Sequence, residues 1–282
     1  MAPKSYNDFT VSMPQEWTAH VEINRPQKLN AFTEGMWSTL PKVFDDLSDD
    51  PEVRVIILSG AGEKAFSAGL DIESAAVPGS VFNPGPDDVA DGARFATKFR
   101  RFANRFQDCV SSIERCEKPV ICVLHGISLG ISIDISVCAD LRICTSDTAF
   151  SVKEVDIGVA SDVSTLSRLP KVVGSYAWVK DVCLTARTFG AEEALRVGFV
   201  NGISTDKAAA MQEALRIANV IATKSPVAVQ ATKHFLDWSR DHDINTGLKY
   251  TAAWNAAAIN TRDVPVAMAA ARTKLVPHFA KL

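Results

Sequence analysis

The 282-residue chain is 47% hydrophobic and has a formal net charge of -3. That apolar content can bury a full core in one large domain, or in a domain with an appendage, and it argues against disorder and against nucleic-acid binding. No apolar run approaches the ~20 residues of a membrane-spanning helix, the six cysteines form no CxxC pair, and the five histidines lack metal-ligand spacing, so reduced core thiols and metal-free chemistry are expected.

The N-terminal stretch MAPKSYNDFTVSMPQEW has neither the basic region nor the apolar run of a signal peptide, so synthesis in the cytosol is expected. Phe9 to Met13 and Trp17 to Ile23 read as two strands with a turn at Pro14-Gln15. Thr33 can cap a helix that carries Met36, Trp37, Leu40, Val43, Phe44 and Leu47 at helical spacing. Val53 to Ser59 is a β-branched run that reads as a buried strand. It leads through Gly60-Ala61-Gly62 into Ala65-Phe66-Ser67-Ala68-Gly69-Leu70-Asp71.

Residues 74–92, with three prolines, three glycines and several aspartates, read as a long surface loop or mobile lid. A helix follows from about Ala93 to Cys116, then a strand over Pro119 to Leu124, then a βα turn at His125-Gly126-Ile127-Ser128-Leu129-Gly130 and a helix to about Ala139. Leu141 to Thr145 returns as a strand. Two strands that each run through a glycine-containing turn into a helix imply parallel crossover units of an α/β fold. Ser175 caps a short helix, Ala191 to Val197 forms another that ends at Gly198, and Ser225-Pro226 opens a third. The chain divides into a strand-rich core, residues 1–204, and a C-terminal helical region, residues 205–282, expected to cover a site or another subunit.

Asp134, Glu154 and Asp162 lie inside or beside apolar, glycine-bearing segments. Burial raises a carboxyl pKa, whereas a hydrogen bond or a positive neighbour lowers it, so acids sharing a pocket can hold different protonation states at one pH. That is the requirement for moving protons. For Asp134 alone, an ion pair with Arg142 or Lys153 is the alternative. Glu154 and Asp156 flank Val155 and point to opposite sides of an extended segment, so only one faces a pocket. His125, at a strand end before Gly126, reads as a hydrogen-bonded turn residue.

Four motifs in order, Arg25-Pro26-Gln27-Lys28-Leu29-Asn30-Ala31-Phe32, Phe66-Ser67-Ala68-Gly69-Leu70-Asp71, His125-Gly126 with Gly130, and Arg168-Leu169-Pro170-Lys171-Val172-Val173-Gly174, resemble the crotonase superfamily of enoyl-CoA hydratases and isomerases over nearly the whole chain. The resemblance implies a spiral of repeated ββα units with a C-terminal helical extension, and an acyl-CoA thioester whose carbonyl oxygen is held by the backbone N–H groups of Leu70 and Ile131. It also implies a substrate path along Lys28, Ala68, Gly69, Leu70, Asp71, Ile72 and Gly130, in which Ala68 to Ile72 form an extended loop. Lys28 either approaches the CoA phosphates or is an ordinary solvated lysine. Where relatives carry a glycine triplet, this chain has Gly130-Ile131-Ser132, and the alternative for that segment is a plain helix start.

Asp134 and Glu154 match the positions of the two hydratase glutamates, and Asp162 replaces a glycine. A third acid there resembles the dienoyl-CoA isomerase branch, implying that Asp162 removes a proton at C2, Glu154 delivers one at C6, and Asp134 tunes the pair. A 3-to-2-enoyl-CoA isomerase, a hydratase and a silent acyl-CoA-binding protein are the competing readings. The family usually assembles as trimers or dimers of trimers, so a homotrimer or homohexamer is expected, with the helices bearing Trp254, Met268 and Leu275 as one source of interface. The C-terminal Ala280-Lys281-Leu282 is a conservative variant of the Ser-Lys-Leu peroxisomal address, so an import receptor is an expected partner and the peroxisomal matrix the expected location.

Overall fold

The computed structural model describes residues 4–282, so the first three residues of the N-terminal stretch lie outside it. β1 (Lys4–Tyr6), β2 (Phe9–Gln15) and β3 (Thr18–Ile23) form an antiparallel meander. The second reversal falls at Glu16-Trp17 rather than at Pro14-Gln15. Pro14 sits instead in a register irregularity between Ser12 and Gln15, where a residue with no N–H is tolerated, and Trp17 takes φ +65° with the Arg54 guanidinium 4.2 Å above its ring. Thr33 accepts the Met36 N–H and caps α1 (Glu34–Ser48), whose six expected apolar residues are all buried.

The remainder of the core repeats one pattern. β4 (Val55–Gly60) and β5 (Ala65–Ser67) precede α2 (Ile72–Ala75), α3 (Pro86–Ala90) and α4 (Gly92–Arg115). β6 (Val120–Leu124) and β7 (Ile127–Leu129) precede α5 (Ile131–Val137). β8 (Leu141–Thr145) and β9 (Ala149–Ser151) precede α6 (Thr165–Val172) and α7 (Tyr176–Thr185). In each unit the first strand enters a seven-stranded sheet, the second enters a four-stranded sheet, and helix follows, which is a spiral of ββα turns. After β10 (Phe189–Gly190) and α8 (Ala191–Val197), β11 (Gly202–Ser204) closes the large sheet, ordered β1-β2-β3-β4-β6-β8-β11; the small one is ordered β10-β9-β7-β5.

Two sequence expectations change here. The segment His125 to Gly130 is not one βα turn: Gly126 is a corner between sheets, with φ +53° and a backbone approach so close that a Cβ would lie 2.2 Å from the Lys64 carbonyl oxygen, and β7 then pairs in parallel with β5 and β9. Residues 74–92 are not a structureless loop either. Pro86 at the first turn, followed by Asp87 and Asp88 near the positive helix end, starts α3.

The C-terminal region consists of α9 (Lys207–Ala222), α10 (Pro226–Arg240), α11 (Ile244–Ala258) and α12 (Asp263–Thr273). Its first helix belongs to the core: Ala210, Ala214, Ala218 and Ala222 recur every fourth residue and bury a smooth stripe against Val55, Ile57, Ile121, Val123 and Ile143 of the large sheet. Beyond it, Leu236, Leu248, Ile259, Met268 and Leu275 are exposed. No described helix is long and apolar enough to cross a membrane.

Candidate active site

The three parallel strands of the small sheet end side by side, at Ser67, Leu129 and Ser151. Ligands in open parallel sheets sit beyond such carboxyl ends. Here the ends release three segments, Ala68-Gly69-Leu70, Gly130-Ile131 and Val152-Lys153-Glu154, around one cavity of about 210 Å³. Gly69 takes φ +104° and Gly130 φ +53°. The positive φ of Gly130 favours glycine there, and a Cβ would stand 3.8 Å from the Gly69 Cα and 3.3 Å from Glu154 Oε1, close against the second turn and the acid.

Leu70 and Ile131 follow those glycines and both line the cavity. Phe32 bonds the carbonyl of Gly69 and receives the N–H of Asp71, which bypasses the Leu70 N–H. Ile131 is the first residue of α5, where an N–H has no partner within the helix. Among the described residues neither N–H has a protein acceptor. The segment is the plain helix start, and the residue whose N–H is left over there lines the cavity.

The three acids differ sharply in setting. Asp134, on α5, is 2% exposed, and its Oδ1 accepts from the Thr165 N–H at 2.7 Å, the Thr165 hydroxyl at 2.8 Å and the Ser164 N–H at 2.8 Å. It caps α6 from another helix. Burial pushes its carboxyl up to about 6 against those donors, and the charge of Asp162 adds to the rise. The ion pair with Arg142 or Lys153 does not form: Arg142 bonds the carbonyls of Ser136, Ala139 and Phe199, and Lys153 pairs with Asp156.

Glu154 opens a 3-10 turn, Glu154–Ile157, rather than an extended segment, and that turn sends Asp156 outward to Lys153 while Glu154 lines the cavity. Burial, then the negative charge of Asp134, lift its carboxyl to about 7. The Ser161 hydroxyl lies near enough to oppose that rise, yet Glu154 Oε2 and Ser161 Oγ are both buried without a hydrogen bond. Asp162 lines the cavity from its exposed rim, where partial burial raises its carboxyl; its main-chain carbonyl is anchored by Gln107 of α4 at 2.6 Å.

The remaining expected residues separate. Ala68, Gly69, Leu70, Ile72 and Gly130 line the cavity, whereas Lys28 and Asp71 lie outside that lining. Lys28 pairs with Glu73 on the surface at 3.0 Å. Asp71 caps α2 through the Ser74 N–H and pairs with Arg25 at 2.7 Å; burial works against its charge, but those partners prevail and hold its carboxyl low. Ile72 is helical, so Ala68 to Ile72 are not one extended loop. His125 is the turn residue expected, with Nε2 3.0 Å from the Gly62 carbonyl oxygen.

Sequence reasoning missed the apolar wall, Phe82 with Phe99, Phe102 and Phe106 of α4, although the last three share one helix face by their spacing. The cavity lining runs from Ala68 to Val163, so the region 205–282 does not cover the site within one chain.

Two unengaged N–H groups beside buried and rim carboxylates are the parts that moving protons next to an oxyanion requires. Residues 15–281 match the enoyl-CoA hydratase/isomerase profile, and the chain belongs to that family. It is 41% identical over 260 residues to the human protein named Delta(3,5)-Delta(2,4)-dienoyl-CoA isomerase, mitochondrial, covering 92% of this chain and 77% of that one. The Arabidopsis thaliana protein named Delta(3,5)-Delta(2,4)-dienoyl-CoA isomerase, peroxisomal, is 39% identical over 263 residues, covering 93% and 92%. In fold, a Bacillus anthracis enoyl-CoA hydratase superposes with a TM-score of 0.85 at 24% identity, covering 97% of this chain and 99% of that one.

Proposed function

We propose that the protein isomerises 3,5-dienoyl-CoA to 2,4-dienoyl-CoA in fatty-acid β-oxidation. The observation that carries this reading is the unequal setting of Glu154 and Asp162 on one cavity: one acid is enclosed beside a negative neighbour, the other sits at the wet rim. Two acids in different protonation states suit a substrate that loses a proton at one carbon and gains one four carbons away.

In this mechanism the thioester oxygen accepts from the Leu70 and Ile131 N–H groups. Ionised Asp162 takes a proton from C2, and the electron pair spreads over C2 to C6 and the oxygen. Neutral Glu154 gives its proton to C6 as the double bonds settle at C2 and C4. Asp162 then holds a proton and Glu154 a charge, and exchange with solvent restores both. Asp134 stays in place, and its charge keeps Glu154 protonated. No cofactor is needed, because these groups supply every proton and every compensating charge.

Ultraviolet absorbance separates the possibilities. Purified protein is expected to turn over 3,5-dienoyl-CoA far faster than 3-enoyl-CoA or 2-enoyl-CoA. Turnover of either of the latter alone would overturn the reading, and binding without turnover of any would favour a silent acyl-CoA-binding protein.

The same reading includes delivery and assembly. Ala280-Lys281-Leu282 suits a peroxisomal receptor that reads a free terminus, and the Arabidopsis relative bears a peroxisomal name whereas the human one bears a mitochondrial name. Exposed Leu248, Trp254 and Met268 on α11 and α12 support self-association as a trimer or hexamer. Sedimentation of the purified chain as a monomer would remove that part.

A further inference from the structure

The ring of Phe82 lies on two cavities at once. One is the acid-lined cavity described above; the other, of about 240 Å³, lies behind it and is bounded by Trp37, Val77 and Val81. Leu70, Phe82 and Phe102 line both, and together they form the partition. Leu70 and Phe102 are held by main chain and by α4. Phe82 is not.

Its support is slight. Among the described residues its ring contact is with Phe102, edge-on at 5.8 Å, and the residue is 36% exposed. The loop that carries it is closed on itself by the Gly79 N–H to the Asn83 carbonyl at 2.8 Å, the Ser80 N–H to the Val77 carbonyl at 3.0 Å and Asn83 Nδ2 to the Ala76 carbonyl at 2.9 Å. Outside itself the loop is tied to α4 by that one ring and by the long Lys98 Nζ contact to the Gly79 carbonyl at 3.4 Å, so it can shift without breaking its own hydrogen bonds.

Size gives that freedom a use. A pocket that encloses a drug-sized ligand spans roughly 300–1,000 Å³, and the first cavity, at about 210 Å³, falls short of it. It holds the reacting end of an acyl chain and little more. Joined across Phe82, the two cavities reach that range.

We propose that Phe82 is the chain-length gate of this site, and that the tail of a long acyl-CoA passes the Phe82–Phe102 contact into the cavity bounded by Trp37, Val77 and Val81. The acyl-CoA part of this inference rests on the function proposed above. Short tails end before the gate, so they leave it shut.

The test uses non-reacting ligands, so that it does not depend on turnover. Calorimetry with octanoyl-CoA and tetradecanoyl-CoA is expected to show that Phe82→Ala raises the affinity ratio of the long to the short ester by about tenfold, the scale of a few methylenes gained in an apolar pocket. Val77→Trp fills the rear cavity from its far side, away from the acids, and is expected to lower the same ratio with octanoyl-CoA binding unchanged. Unchanged ratios in both variants would overturn the gate, and Val77→Trp alone decides if Phe82→Ala fails to fold. Tight binding of both saturated esters with no turnover of dienoyl-CoA would instead overturn the isomerase reading while leaving the gate to the affinities.

Discussion

Thr165 gives Asp134 two hydrogen bonds, one from its N–H at 2.7 Å and one from its hydroxyl at 2.8 Å, both to the same oxygen. One residue thus fixes the rotamer of the buried acid and favours its charged form. That charge is in turn a cause of the raised Glu154 carboxyl. Thr165→Val removes the hydroxyl and keeps the N–H. Asp134 then rises further and carries less charge, Glu154 is less strongly raised, and it loses its proton at lower pH. The alkaline limb of the pH–kcat profile is expected to move to lower pH, with KM little changed. Thr165→Ser restores the hydroxyl and is expected to restore the limb.

The division of labour between Asp162 and Glu154 is testable by proton exchange. Each acid acts in a different half-reaction, so Glu154→Gln is expected to lower product formation by about 10²–10⁴ while substrate incubated in D₂O still gains deuterium at C2. Asp162→Asn is expected to abolish both. Exchange at C2 surviving in Asp162→Asn, but not in Glu154→Gln, would reverse the assignment.

The legibility of these features in the sequence followed their range and length. α1 and α4 could be read because their apolar residues recur locally at helical spacing, and β4 and β6 because buried parallel strands are unbroken β-branched runs. β5, β7 and β9, three residues each, are too short to show a period, so the small sheet that carries the site was invisible as structure. The acids stood out as side chains. Their partners did not: Ser164 and Thr165 reach Asp134 across thirty residues of sequence, and the Leu70 and Ile131 donors are backbone groups that no side chain encodes. Family resemblance, rather than spacing, pointed to those donors. The partners of Lys28 and Asp71 were not legible either: Glu73 holds the first on the surface, as the solvated-lysine alternative allowed, and Ser74 with Arg25 holds the second.

Ile131 permits a direct test of one backbone donor. As the first residue of α5 it stands where proline is accepted in a helix, since the N–H there has no helical partner. Ile131→Pro therefore deletes the proposed oxyanion donor and keeps the helix. Loss of such a donor costs about 2.7–4 kcal/mol of barrier, so kcat is expected to fall by about 10²–10³. Ile131→Ala keeps the N–H and serves as the packing control, with a much smaller loss. Equal losses in the two variants would remove the Ile131 N–H from the mechanism.

Glu154 also links stability to pH. Its folded carboxyl is raised to about 7 from an ordinary value of about 4.3. Between those values the folded state binds more protons than the unfolded one, so this group's contribution falls as pH rises through that window and is fully present only below it. Above pH 7 the enclosed charge beside Asp134 is a net cost. Glu154→Gln keeps the shape without the charge, and it is expected to raise Tm at pH 8 by a few degrees, a stability gain on the order of 1 kcal/mol, with the gain vanishing near pH 4. Calorimetry at the two pH values measures it.

The C-terminal tripeptide is docked on the body of the protein. Buried Arg54 donates to the Ala222 carbonyl at 2.8 Å, the Phe279 carbonyl at 2.7 Å and the Ala280 carbonyl at 3.2 Å, while Lys281 pairs with Glu52 and lies over the Trp17 ring. Under the peroxisomal delivery proposed above, an import receptor would first have to lift the tail from these partners, so docking would lower apparent affinity by the fraction of time the tail is held. Arg54→Lys retains a positive charge but cannot span three carbonyls. It is expected to speed carboxypeptidase release of Leu282 and to tighten binding of the folded protein to the receptor's peptide-binding domain, with no change for an isolated C-terminal peptide. The unfolded chain offers the same peptide in both variants, so receptor binding after denaturation should be equal; a difference there would locate the effect in the peptide itself rather than in its docking.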